Sequence, residues 1–141
     1  MLRFEDEQLW SEIDKLARAS SSKSAAIAYF TDNKIGLTTV DLLITDASYR
    51  AIRCHHTDRS LFRALHNKGV KLYSFSGLHA KVMIFDATVV VGSMNSSDSS
   101  RSKLLEAGLF SDDSKTVNRA RQFIEAHVAN GEPIDSVFLG R

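Results

Sequence analysis

The sequence has 141 residues, of which 43% are apolar and 25% charged, with seven Gly and one Pro; this excludes disorder and low-complexity architectures and points to a single domain over 1–141. Eighteen Lys and Arg against 17 Asp and Glu give a formal charge of +1, no apolar stretch is long enough to cross a membrane, and the acidic start MLRFEDEQLW does not fit a secretory leader. The one cysteine, Cys54, excludes an internal disulfide and a cysteine-rich zinc site, and it agrees with a reducing, cytoplasmic compartment.

In chain order, Phe4, Leu9, Trp10, Ile13 and Leu16 recur at helical steps, so the spacing predicts an amphipathic helix over 5–19 that stops at the serine run from Ser20 to Ser22. Ala25 to Phe30 and Val40 to Ile44 read as buried strands, followed by a helical stretch from Ala47 to His56. A second helix runs from Asp58 to Asn67 and breaks at Gly69, and Val70 to Phe75 is a third strand. His79 to Phe85 and Thr88 to Val91 flank Asp86 and Ala87 as a hairpin. Leu104 to Phe110 is a further strand, and the apolar spacing of Val117, Ala120, Phe123, Ile124 and Val128 predicts a long helix within 112–129, with Gly131 as its stop. Alternating strands and helices, then a run of strands and a final helix, imply an α/β sandwich with a mixed sheet flanked by helices on both faces.

The charge is unevenly distributed. Residues 49–71 hold six basic side chains (Arg50, Arg53, Arg59, Arg63, Lys68, Lys71) and one acidic one, Asp58, whereas the remainder has 12 basic and 16 acidic residues. A local patch of this kind suits a polyanionic partner, although a solvated helical face would have the same composition. Arg101 and Lys103, shortly before Glu106, extend the set of basic residues available to a nucleic acid.

The informative stretch is LHAKVMIFDATVVVGSMNSSDSSRSKLLEAGL. In a strand, His79 and Lys81 project to one side while Ala80, Val82 and Ile84 project to the other, which sets an imidazole beside an ammonium. An apolar strand has no packing reason for that pair, because an ammonium is rarely buried without an anion to meet it. Beyond the turn at Asp86, Gly92 permits close backbone approach, and Ser93 and Asn95 supply donors suited to phosphate oxygens. Glu106, read as a strand residue, carries a carboxylate that could orient a histidine.

His79, Lys81, Asp86, Gly92, Ser93 and Asn95 resemble, in order, the signature of the phospholipase D superfamily, with one departure: five residues rather than six separate Asp86 from Gly92. The departure falls on Asp86, whose alternative role is to shape the hairpin turn. The resemblance implies a phosphodiesterase in which His79 attacks phosphorus while its other ring nitrogen faces Glu106, and Lys81, Ser93 and Asn95 hold the phosphate. No clustered carboxylates or histidines suggest a catalytic metal, and no cofactor is expected. Attack and leaving-group protonation lie on opposite sides of an in-line phosphorus, so a second histidine is needed; with one motif in the chain, the resemblance implies a homodimer in which His79 of the second copy serves as acid.

Several features have plainer readings. Cys54, His55 and His56 read as exposed helix-end residues rather than metal ligands, His127 as structural, and Ser96 to Ser102 as an ordered loop after the phosphate site. Tyr29, Phe30 and Thr31 end the first buried strand, where α/β sheets often carry their sites. No stretch has the character of an interfacial helix, and small single-motif members of the family are typically nucleases, so nucleic acid is the expected substrate, DNA ahead of RNA. A lipid hydrolase and a non-catalytic nucleic-acid-binding or dimerisation module are the alternatives. A separate specificity domain or subunit is expected if the chain belongs to a longer enzyme.

Overall fold

A computed structural model describes residues 1–141. The chain opens on a short strand, β1 (Leu2–Glu5), that helical spacing concealed: Phe4 belongs to this strand and is 65% exposed, while helix α1 (Leu9–Ala19) buries Leu9, Trp10 and Ile13. Strands β2 (Lys23–Ile27) and β3 (Leu42–Thr45) follow, each shifted from its predicted span because Tyr29–Phe30 and Val40, with a left-handed φ of 65°, lie in the connecting chain. Helix α2 (Tyr49–Arg53) is shorter than predicted; the Ser48 hydroxyl accepts the Ala51 N–H at 3.3 Å at its start, and His55 at φ 59° prevents its continuation. Asp58 caps α3 (Arg59–Lys68) by accepting the Ser60 N–H at 2.8 Å, and Gly69, at φ 96°, ends it.

Strand β4 (Lys71–Ser74) leads to the hairpin of β5 (Lys81–Phe85) and β6 (Thr88–Gly92). His79 therefore precedes its strand instead of starting it. The segment read as a loop after the phosphate site contains a one-turn helix, α4 (Asp98–Ser102). Strand β7 (Gly108–Ser111) begins later than predicted: Leu104 and Leu105 are 58% and 96% exposed, and Glu106 lies in the connection ahead of the strand. Helix α5 (Ser114–Ala129) starts at its Asp113 cap, and the chain ends with a two-residue strand, β8 (Glu132–Pro133), and a short helix, α6 (Ser136–Leu139), neither of which periodicity could reveal.

The eight strands form one mixed sheet in the order β1-β7-β6-β5-β2-β3-β4-β8. Strands β2, β3 and β4 are mutually parallel and every other pairing is antiparallel. Side-chain alternation then builds two cores. Ile27, Met83, Phe85 and Phe110 pack with Leu9 and Ile13 of α1, Phe62 and Leu65 of α3, and Phe138 of α6 on one face. Ala26, Ile44, Val82, Ile84 and Val89 meet Val117 and Ile124 of α5 on the other. Helices thus cover both faces, as the element order implied.

This topology assembles the site. Ile27 at the end of β2 pairs with Lys81 at the start of β5, Val82 pairs with Val91 near the end of β6, and Gly92 pairs with Gly108 at the start of β7. The residues just beyond those pairs, Tyr29, His79, Ser93 to Asn95 and Glu106, converge at the edge where the parallel strands end. Gly92 and Gly108 make the convergence possible. A Cβ on Gly92 would lie 2.4 Å from Ala107 O, and one on Gly108 would lie 2.9 Å from Leu9 Cδ1 of α1.

Candidate active site

His79 is exposed at the start of the β5 segment. The Lys81 ammonium donates to His79 O at 3.0 Å and lies 3.5 Å from His79 Nε2, so alternation across two residues does bring imidazole and ammonium together. Burial pushes the Lys81 ammonium below its ordinary range, and the Glu106 carboxylate opposes that shift. A charge held in this way is poorly solvated and available to an incoming phosphate.

Asn95 is oriented by the fold. Its Oδ1 accepts the Tyr29 N–H at 3.1 Å and its own N–H is bonded to Ser100 Oγ at 2.9 Å, which leaves the side-chain NH₂ as the group free to donate. Ser93 differs from expectation. Its hydroxyl donates to Glu106 Oε2 and accepts the Ala107 N–H at 3.1 Å, so its one proton is directed to the protein. Glu106, 9% exposed, is hydrogen-bonded to Ser93 and not to His79 within the chain, and it lies outside the strand assigned to it from alternation. The arrangement offers an exposed imidazole, an adjacent cation, an amide donor and a buried carboxylate.

Asp86 is at the far end of β5, in the hairpin turn. Its carboxylate accepts the Ser21 and Ser22 N–H groups at 3.1 and 3.0 Å, and its carbonyl accepts Arg121 Nη2. With φ at 52°, Asp86 shapes the turn and ties it to the chain entering β2.

The basic residues divide into groups. Arg59 Nη2 donates to the carbonyls of Phe138, Leu139 and Arg141, and Arg63 Nη2 to Leu139 O at 3.0 Å, so both hold the α6 end. Arg101 pairs with Asp14 at 2.8 Å and lies over the Trp10 ring. Lys68 and Lys71 are exposed at the opposite end of the sheet, where β4 begins, whereas Arg50 and Arg53 are exposed on α2 and Lys103 is exposed just beyond α4.

Two rings adjoin at the margin of the site: Tyr29 is legible from its place at the end of the first buried strand, whereas His56 has no sequence signal. The Tyr29 ring lies 6.4 Å from the His79 ring, edge-on, and 4.4 Å from the His56 ring, tilted by 38°. His127 is structural, as read: its Nδ1 is 2.7 Å from Phe123 O, and its ring meets Phe75 and Phe123. No three His, Cys, Asp or Glu side chains form a group that could hold a metal ion. No helix is long and apolar enough to cross a membrane. A cavity of about 660 Å³ lies between α2, the end of β4 and α6, and none of His79, Lys81 or Asn95 lines it.

Comparison with solved structures finds the same fold in Nuc, a phospholipase D family member from Salmonella typhimurium, with a TM-score of 0.74 and 19% identity over 96% of this chain and 99% of that one. NucT from Helicobacter pylori gives a TM-score of 0.71 and 17% identity over 95% of this chain and 99% of that one. TrmBL2, an archaeal chromatin protein described with a mode of DNA binding, aligns at a TM-score of 0.62 and 12% identity over 94% of this chain and 54% of that one. No curated protein matches. The model of the family described as cardiolipin synthase, PLD-like domain, matches residues 13–128, and with that span of the chain accounted for, the protein belongs to the PLD-like domain family of the phospholipase D superfamily.

Proposed function

We propose that the protein is a phosphodiesterase that cleaves nucleic acid, DNA ahead of RNA, at a site shared by two copies of the chain. The observation that carries the reading is the exposed His79 imidazole with the Lys81 ammonium 3.5 Å from its Nε2. A ring nitrogen of neutral His79 forms a bond to phosphorus as the P–O bond to the leaving group breaks, and the departing oxygen takes a proton. Water then attacks the phosphohistidine, giving a proton to the group that protonated the leaving oxygen as the P–N bond breaks, which restores the imidazole and releases a phosphomonoester. Lys81 supplies positive charge and the Asn95 amide a hydrogen-bond donor to the phosphoryl oxygens.

The proton for the leaving group comes from a second imidazole opposite the first, and His79 of a second copy supplies it under two-fold symmetry. The surface beside the site suits a covering copy: Leu104 and Leu105 lead into Glu106, and Val91, Leu109 and Phe4, 46%, 49% and 65% exposed, are successive cross-strand neighbours on β6, β7 and β1. Nucleic acid is favoured over lipid by the exposed Arg50 and Arg53 on α2, at the same sheet edge as His79.

Hydrolysis of bis(p-nitrophenyl) phosphate, plasmid and anionic lipid vesicles in excess EDTA tests the reading. The expected result is turnover of diester and plasmid, at least a thousandfold lower in His79→Ala, in keeping with loss of a nucleophile. Turnover of vesicles alone would assign a lipid substrate. Near-normal rates in His79→Ala would remove the nucleophile, and restoration only by Mg²⁺ would overturn the metal-free chemistry.

A further inference from the structure

Two side chains have no part in the chemistry just described: Tyr29, whose ring lies 6.4 Å from the His79 ring, and His56, whose ring lies against Tyr29. The Tyr29 backbone is held on both sides, its N–H by Asn95 Oδ1 at 3.1 Å and its carbonyl by the Ser96 N–H at 3.3 Å. These bonds tie the Tyr29 backbone to the loop that carries Asn95, and its ring lies 6.4 Å from the His79 ring.

His56 reaches this ring through a turn that the fold enforces. His55 adopts a left-handed φ of 59°, the His56 N–H bonds to Ala51 O at 3.0 Å, and the buried Thr57 donates its hydroxyl proton to Asp46 O at 2.9 Å. A non-glycine residue at positive φ is uncommon, histidine being one of the types that adopts it more readily, and these bonds hold the turn in place. The His56 side chain remains exposed while its ring lies against Tyr29, 4.4 Å between centroids. Arg50 and Arg53, on the helix leading into the turn, are exposed and make none of the carbonyl contacts that hold Arg59 and Arg63.

We propose that Tyr29 and His56 form a stacking seat for the nucleobase next to the scissile phosphate, with Arg50 and Arg53 receiving the backbone phosphate beyond it. This rests on the reading of His79 and Lys81 as a nuclease centre and adds the part of the substrate that is not phosphate. Every nucleobase has a π face, so such a seat tolerates sequence; a base inside a duplex is already stacked, so the seat selects single strands over duplex. An acyl chain or lipid headgroup has no planar face to place there.

The test uses thymidine 5′- and 3′-(p-nitrophenyl phosphate), which fix the scissile bond, against the same two diesters lacking the base. The expected result is that the wild-type protein prefers the base-bearing form of at least one isomer by about tenfold in kcat/KM, the order of one base–aromatic stack. His56→Ala erases that preference and His56→Phe, which keeps a ring, retains it. An equal preference in wild type and His56→Ala, or none in the wild type, overturns the seat and leaves the nuclease reading standing, because the diesters are still hydrolysed. If the wild type hydrolyses none of them, the nuclease reading fails. Fluorescence of a single strand containing 2-aminopurine then decides the seat by binding alone: quenching by the wild type that is lost in His56→Ala upholds it, and quenching equal in both, or absent from the wild type, overturns it.

Discussion

Lys81 is placed where charge is useful and costly at once. Its ammonium is partly desolvated beside His79, and burial lowers its pKa from 10.5 while Glu106 pulls in the other direction. Below the lowered value the folded protein carries a charge that the unfolded chain solvates better, so Lys81 reduces stability there. As pH rises through the folded value toward 10.5, the folded state releases the proton first and that penalty disappears. Lys81→Met is accordingly expected to raise the melting temperature at neutral pH while lowering diester hydrolysis by about two to three orders of magnitude. Calorimetry beside the chromogenic assay checks both, and a lower melting temperature would show that the ammonium stabilises the fold. In the wild type the alkaline limb of the rate profile should fall with an apparent pKa below 10.5. Ser93 and Asn95 differ at the residue scale: the Asn95 amide oxygen is committed to the Tyr29 backbone, which leaves its NH₂ free, whereas the one hydroxyl proton of Ser93 is committed to Glu106.

At the scale of elements, the arginines of the basic segment fall into two settings. Helix α2 presents Arg50 and Arg53 outward at the site edge, whereas α3 turns Arg59 and Arg63 onto the carbonyls that end α6. Neutralising Arg50 and Arg53 together should weaken binding to single-stranded DNA and reduce the slope of log K against log salt by about one to two, with the melting temperature changed little. Neutralising Arg59 and Arg63 should lower the melting temperature by leaving C-terminal carbonyls without donors. Fluorescence titrations across salt concentrations and thermal melts separate the pairs; identical behaviour of the two would contradict the division. Charge was legible in the sequence, but not its partners, which lie some 80 positions away in α6. The motif was legible because a strand and a tight hairpin fix the relation of His79, Lys81 and Asn95 over a short span. Glu106 was legible as a residue and not as a strand position, because LLEAG imitates strand alternation while Leu105 faces solvent. β1 was hidden because Phe4 happens to fit the period of α1, and its pairing with β7 joins positions more than 100 residues apart. His56 was hidden for a related reason: its meeting with Tyr29 depends on a left-handed residue and on two loops that come together only once β2 and β3 are paired.

For the whole molecule, the proposed chemistry asks the sheet edge of one chain for half of an in-line displacement. One chain presents one exposed His79, and the apolar residues around that edge offer a surface on which a second copy would bring its own. If nucleophile and acid come from different subunits, a mixed dimer of wild type and His79→Ala contains an imidazole on only one side of phosphorus and turns over neither step at the normal rate. After full subunit exchange of equal amounts, random pairing then leaves diester activity at about a quarter of the unmixed wild-type value, against about a half if each chain works alone. Sedimentation at the assay concentration must show a species of twice the chain's mass, and dilution that dissociates it should lower specific activity in step. Activity of about a half with a dimer present would mean that each subunit carries its complete site, and the leaving-group proton would then have to come from within one chain.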